Sequence, residues 1–221
     1  FSAEVSPGGG ALCGGLSANL EKKIANGEVD FAVVLSDRYN ADLVEHEFLR
    51  EEVYLCVPEV LLRQYYTPEE IQGIKERSVQ GADLRDFARL PFSLMTNRLG
   101  GRIREQFRQA GVEPWAFFTG PSTAQTLPLC ASGTAACFST NLSLVEQLEQ
   151  MGEQVNIFPL MDRGEPMVQR LSLLRHRQRY LTHFAKYFME LLFDSTAALD
   201  RIPVLRVAGG EGAVEKSVEN V

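Results

Sequence analysis

The residues best placed to do chemistry in this 221-residue chain are small hydroxyls and amides that follow apolar runs. Ser36 follows Phe31-Ala32-Val33-Val34-Leu35, and Thr96 and Asn97 follow Pro91-Phe92-Ser93-Leu94-Met95. Ser122 and Thr123 come just after Trp115-Ala116-Phe117-Phe118-Thr119, and Thr140 comes just after Ala135-Ala136-Cys137-Phe138. Side chains of this kind hold bonds rather than break them. Where they also open a helix, unpaired backbone N–H groups and a partial positive charge suit an anion. Arg98 and Arg102 stand close enough in sequence to add a counter-charge. The same residue types are ordinary helix caps, so each position taken singly reads first as a cap. Four such positions together also equip a site for a small polar or anionic ligand, and both readings stay open.

Bond-breaking chemistry has less support. There is no G-x-S-x-G elbow, no H-E-x-x-H and no Walker A sequence, and Gly8-Gly9-Gly10 and Gly14-Gly15 read as loops or caps. The three histidines, His46, His176 and His183, stand apart, and the carboxylates are scattered. The reading is therefore of a non-enzyme with no catalytic residue, no metal ligand and no cofactor. The four cysteines, Cys13, Cys56, Cys130 and Cys137, form no C-x-x-C pair. Cys56 and Cys130 lie in apolar runs, which fits a reducing, cytoplasmic setting.

The elements that must position these residues alternate. Leu16, Leu20 and Ile24 mark one helix face, and Asn26-Gly27 supplies its stop. The run Phe31–Leu35 predicts a strand buried on both faces, as in a parallel sheet. Val53–Val57 is a strand ended by Pro58. Thr67-Pro68-Glu69-Glu70 is a capped helix start with a capping box. Strands are expected at 91–95, 115–119, 135–138, 155–160 and 171–174, with helices between them and a last apolar helix at 182–193. Such alternation is the pattern of an α/β fold with mainly parallel sheets. The formal net charge of −7 argues against direct binding to nucleic acid. No apolar run approaches the roughly 20 residues that cross a membrane, and the first residues do not read as a signal peptide.

The order of these segments resembles a known family. Leu20-x-x-x-Ile24-x-x-Gly27-x-x-Asp30-Phe31-Ala32, Leu55-Cys56-Val57-Pro58 and Asp83-Leu84-x-Asp86-Phe87-x-x-Leu90-Pro91-Phe92 are similar to segments of LysR-type effector domains. So are Phe107-x-x-Ala110-Gly111-x-x-Pro114, Leu129-x-Ala131-x-Gly133 before Phe138, and Arg175 to Tyr180. The resemblance implies an α/β, two-lobed, type 2 periplasmic-binding-protein-like fold, with mixed sheets flanked by helices and two crossover strands. It implies a first lobe from residues 1–54 and 162–200, a second from 55–161, and a disordered tail at 201–221. The family's first strand and helix are not visible in the sequence, its second glycine is Ala135 here, and its final proline is replaced near Thr140. By the same resemblance the chain is the effector sensor of a transcription regulator, a cytoplasmic homodimer or tetramer that reaches DNA only through a helix-turn-helix domain. Ser36, Thr96, Asn97, Ser122, Thr123 and Thr140 then line the effector site between the lobes. A solute-binding protein of a transport system shares the fold and is the alternative.

Overall fold

The structure, a computed structural model, describes residues 17–35, 41–197 and 204–208. The chain divides into two compact units, with the divisions after Phe48, Arg170 and Asp194. Two strands, β2 (Leu43–Pro58) and β9 (Val168–His176), run from one unit into the other.

The first unit holds α1 (Ser17–Asn26), β1 (Phe31–Leu35), the outer ends of β2 and β9, and α7 (His183–Thr196). The apolar stripe of α1 ends as its periodicity requires. Ile24 is fully buried with Ala32, Val34, Leu43 and Leu174, and Gly27 takes the left-handed φ of 78° that stops the helix. β1 is not the doubly buried parallel strand that its composition suggests. It pairs antiparallel with β9, Val33 facing Leu173, and Val33 is 48% exposed. Its partner is a returning crossover strand, so the pairing direction is reversed. On α7, Phe188 stacks on Phe31 at 6.0 Å, and Phe193 meets His46 and Phe48 edge-on.

The second unit carries a five-strand sheet in the order β6-β2-β5-β3-β4, formed by β3 (Pro91–Met95), β4 (Trp115–Gly120), β5 (Ala136–Thr140), β6 (Val155–Pro159) and β2. β2 runs antiparallel to β5 and β6, whereas β3 runs parallel to both β4 and β5. The sheet is thus mixed rather than mainly parallel. Its two faces follow the period of two that strands impose. Val53, Leu55 and Val57 face one core with Phe138 and Phe158, under α2 (Glu59–Tyr65), α3 (Pro68–Ser78) and α4 (Arg98–Ala110). Tyr54, Cys56, Cys137 and Ile157 face the other, under α5 (Thr123–Ala131) and α6 (Asn141–Met151).

Local signals account for the helix ends. Thr67 and Glu70 close the capping box, and Gly111 ends α4 at φ 70°. Phe92, Phe107 and Phe138 pack as an aromatic cluster with centroids 5.0–5.9 Å apart, fixing α4 on the sheet. Asp83 caps a short 3-10 helix, Leu84–Phe87. A small hairpin, β7 (Met161–Asp162) and β8 (Glu165–Pro166), leads into β9.

The tail expected to be disordered from 201 is ordered at 204–208. Arg206 bridges to Ile157 of β6, and the Ala208 N–H donates to Asn156 Oδ1 at 2.9 Å. Lys75 Nζ donates to the Ala208 carbonyl at 2.6 Å and pairs with Glu59 at 2.8 Å. The rest of the expected tail lies outside the described residues.

Candidate functional site

The parallel run β4-β3-β5 brings three strand carboxyl ends, and the three helices that follow them, to one edge of the second unit. Ser93 pairs with Cys137, so three residues further on Thr96 stands level with Thr140. Met95 pairs with Gly120, which sets Ser122 and Thr123 beside them. Adjacent strands lie about 4.8 Å apart, so these residues form one short row.

At α4, Asn97 is the cap: its Oδ1 accepts the Gly100 N–H at 3.0 Å. Gly100 is required there, because a Cβ would come within 1.8 Å of the Met95 carbonyl oxygen. The Thr96 N–H donates to the Gly120 carbonyl at 2.8 Å, and its hydroxyl lies 3.5 Å from the same oxygen. At α5, Ser122 occupies the cap position but its side chain makes no bond to the helix. The half-buried Ser122 hydroxyl therefore keeps its hydrogen-bonding capacity at an open amino terminus. Thr123 accepts the Thr126 hydroxyl on its carbonyl at 3.3 Å, leaving its side chain uncommitted to that bond. At α6, Thr140 is buried, and its Oγ1 donates to Glu51 Oε1 at 2.8 Å and sits 3.2 Å from Ser143 Oγ. Ser36 lies outside the described residues.

None of α4, α5 or α6 has an acidic residue in its first turn, whereas α3 opens with Glu69 and Glu70. The row therefore keeps the partial positive charge of the α4 and α5 dipoles, while a carboxylate, that of Glu51, meets Thr140 at the cap of α6. Arg102 does not stand free beside it. Its Nη1 donates to the Val168 carbonyl at 2.6 Å and its Nη2 faces Asp162 at 3.9 Å; burial lowers its pKa from the ordinary value while Asp162 raises it.

Two residues that sequence reading does not single out belong to this edge. Glu51 of β2 is only 7% exposed, and its second oxygen accepts Gln169 Nε2 at 3.0 Å. Sequence offers no signal for either, since Glu51 sits among charged neighbours in a strand and Gln169 is 118 residues away. The buried hydroxyls of Ser93 and Ser139, one strand apart under α5 and α6, have no hydrogen-bond partner among the described residues.

Elsewhere, a hollow of about 330 Å³ lined by Tyr66, Arg77, Arg85 and Arg89 offers no arginine without a carboxylate partner. Arg77 pairs with Asp86, Arg85 with Asp83 and Arg89 with Glu70. Cys56, Cys130 and Cys137 are buried and unbridged, and burial helps push each thiol above its ordinary pKa. The described residues hold no cluster of three metal-ligating side chains, and no described helix is long and apolar enough to cross a membrane.

Residues 12–197 match the family model described as the LysR substrate binding domain. Solved structures with the same fold include the effector binding domain of QuiR in complex with shikimate, at 14% identity and a TM-score of 0.59, over 83% of this chain and 79% of that one. The CcmR regulatory domain of Synechocystis PCC6803 in complex with 2-PG is similar at 15% identity and a TM-score of 0.59, over 80% and 78%. Full-length CbnR complexed with its target DNA is similar at 14% identity and a TM-score of 0.56, over 81% of this chain. The chain spans 57% of that regulator's length. No curated protein matches the chain.

Proposed function

The chain belongs to the LysR substrate binding domain family, and from that premise we propose that it senses a small polar or anionic ligand and transmits the event to a helix-turn-helix domain that binds DNA. The family is one of regulator domains rather than enzymes. The observation that carries the ligand site is the row at the carboxyl ends of β3, β4 and β5. Three helix amino termini with no acidic residue in their own first turns converge there, and the Ser122 hydroxyl is unused by its own helix. Thr96, Asn97, Ser122, Thr123 and Thr140 are the residues we assign to it, with Ser36 as a further candidate. With this reading goes the division into a first lobe of residues 1–54 and 162–200 and a second of 55–161. QuiR with shikimate and CcmR with 2-PG, two domains of this fold, hold small ligands, and CbnR is seen on DNA. The family match favours a regulator over a solute-binding protein of a transport system.

The reading places the protein in the cytoplasm as a homodimer or tetramer. Three buried, unbridged cysteines fit a reducing compartment.

Thermal unfolding against small carboxylates, sulfate and phosphate tests the site. A compound that binds only the folded chain adds about 2.7 kcal/mol of stability at a hundredfold excess over its dissociation constant. Ser122→Ala and Thr96→Ala are expected to weaken that shift while leaving the unliganded midpoint within about 0.5 kcal/mol of the parent, as for other surface changes. A shift that both variants leave intact would place the ligand elsewhere.

A further inference from the structure

Glu51 holds a carboxylate in an unusual place. It is 7% exposed on β2, beside the row of helix amino termini, and its hydrogen-bond donors are two neutral groups, the Thr140 hydroxyl at 2.8 Å and Gln169 Nε2 at 3.0 Å. No Lys or Arg pairs with it among the described residues. The contrast within the same unit is direct: Glu59, equally buried, has Lys75 at 2.8 Å and Arg63 at 3.4 Å. Thr140 is the cap residue of α6, whose amino terminus supplies about half a positive charge. No cation adds to these neutral donors among the described residues, and a buried carboxylate is stabilised further by a partner of opposite sign.

We propose that the ligand supplies that partner. The effector carries an ammonium group that meets Glu51 and an anionic group that meets the amino termini of α4 and α5: an amino acid or a related zwitterion. This inference rests on the ligand-sensing reading above and names its ligand class. β2, β5 and β3 are consecutive neighbours, so the Glu51 strand and the Thr96 strand are about 10 Å apart, within reach of one small molecule with charged groups at two ends. Glu51 also gives discrimination. A dicarboxylate or phosphate lying along the whole row would bring a second negative charge against it, whereas a zwitterion meets each end with the opposite sign.

The test uses the 221-residue chain and three matched pairs: alanine and propanoate, 4-aminobutanoate and butanoate, lysine and hexanoate. Each amino acid is compared with the carboxylate that lacks its amino groups, by thermal midpoint and by titration calorimetry. At least one amino acid is expected to bind at least about tenfold more tightly than its amine-free counterpart, as loss of a charge-assisted contact predicts. Glu51→Gln, which can still hydrogen-bond to Thr140 or Gln169, is expected to abolish that difference. The matched pairs decide the matter on the parent chain even where Glu51→Gln folds poorly. Equal binding of both members of a pair, or binding of the amine-free members only, overturns the zwitterion and keeps the anion sensor. No binding by any of the six, in a chain that does respond to sulfate or phosphate, overturns the zwitterion alone. No response to any compound overturns both readings.

Discussion

Among single residues, Glu59 shows how the second unit secures its carboxyl-terminal strap. Burial pushes its carboxyl up, but hydrogen bonds from Asn156 and Lys75 and the charges of Lys75 and Arg63 outweigh burial and hold it below its ordinary 4.5. A carboxylate with a depressed folded pKa contributes stability that is complete above its unfolded value and is lost as pH falls through the folded one. The strap at Ala208 should therefore loosen as pH falls below the ordinary carboxylate range, where Glu59 takes a proton. Hydrogen exchange at the Ala208 amide, which is bonded to Asn156, reports this directly. Lys75→Met removes the nearer cation and leaves Glu59 only the exposed Arg63 at 3.4 Å and the neutral Asn156, with an expected loss of up to about 3 kcal/mol in urea unfolding. Glu59→Gln combined with Lys75→Met should recover much of that loss, because no lone charge is then buried. Neither residue's role was legible in sequence, since the pairing needs α2 and α3 to be folded side by side.

Helices and strands follow the sequence more closely. Thr67, Asn97 and Gly111 act where their residue types say they should, because capping is decided within four residues of chain. The alternation of Val53, Leu55 and Val57 against Tyr54 and Cys56 likewise settles which core each meets. α4 depends on more than its cap. Its first turn passes so close to the end of β3 that Gly100→Ala is expected to cost about 1 to 3 kcal/mol, the range for overpacking a tight contact. Gly101, one residue on, has open space around it, so Gly101→Ala should stabilise the helix slightly by its better propensity. Urea unfolding of the two variants side by side separates close approach from propensity. Equal effects would mean that the Met95 contact plays no part.

For the molecule as a whole, the notable feature is the edge strand. β4 ends the sheet of the second unit, and its Trp115 and Phe117 are 50% and 52% exposed. An apolar edge with no described strand beside it and no charge in WAFFTG is a template for pairing with another chain. It offers a surface for the self-association proposed above. Phe117→Lys should lower the self-association constant, read by sedimentation equilibrium, while leaving the far-UV spectrum unchanged. A parent chain that stays monomeric at high concentration would remove β4 as an assembly surface for this part of the protein.

The sequence alone determined the order of helices and strands, most of their ends, the family and the small hydroxyls that open α4 and α5. These depend on patterns with periods of 2 and 3.6 residues and on capping rules, both of which act over short stretches of chain. Tertiary structure alone decided which strand meets which, and in what direction. β1 turned out antiparallel because a crossover strand returns beside it, and β4 turned out exposed because no described strand follows it in the sheet. It also decided what each polar side chain is used for. Thr96 and Thr140 look alike as residues after strands, yet one faces a carbonyl and the other holds a buried carboxylate 89 residues away. Local composition specifies that a polar group is present, but its partner is set by strand pairing across that distance, and the chemistry of the site depends on the partner.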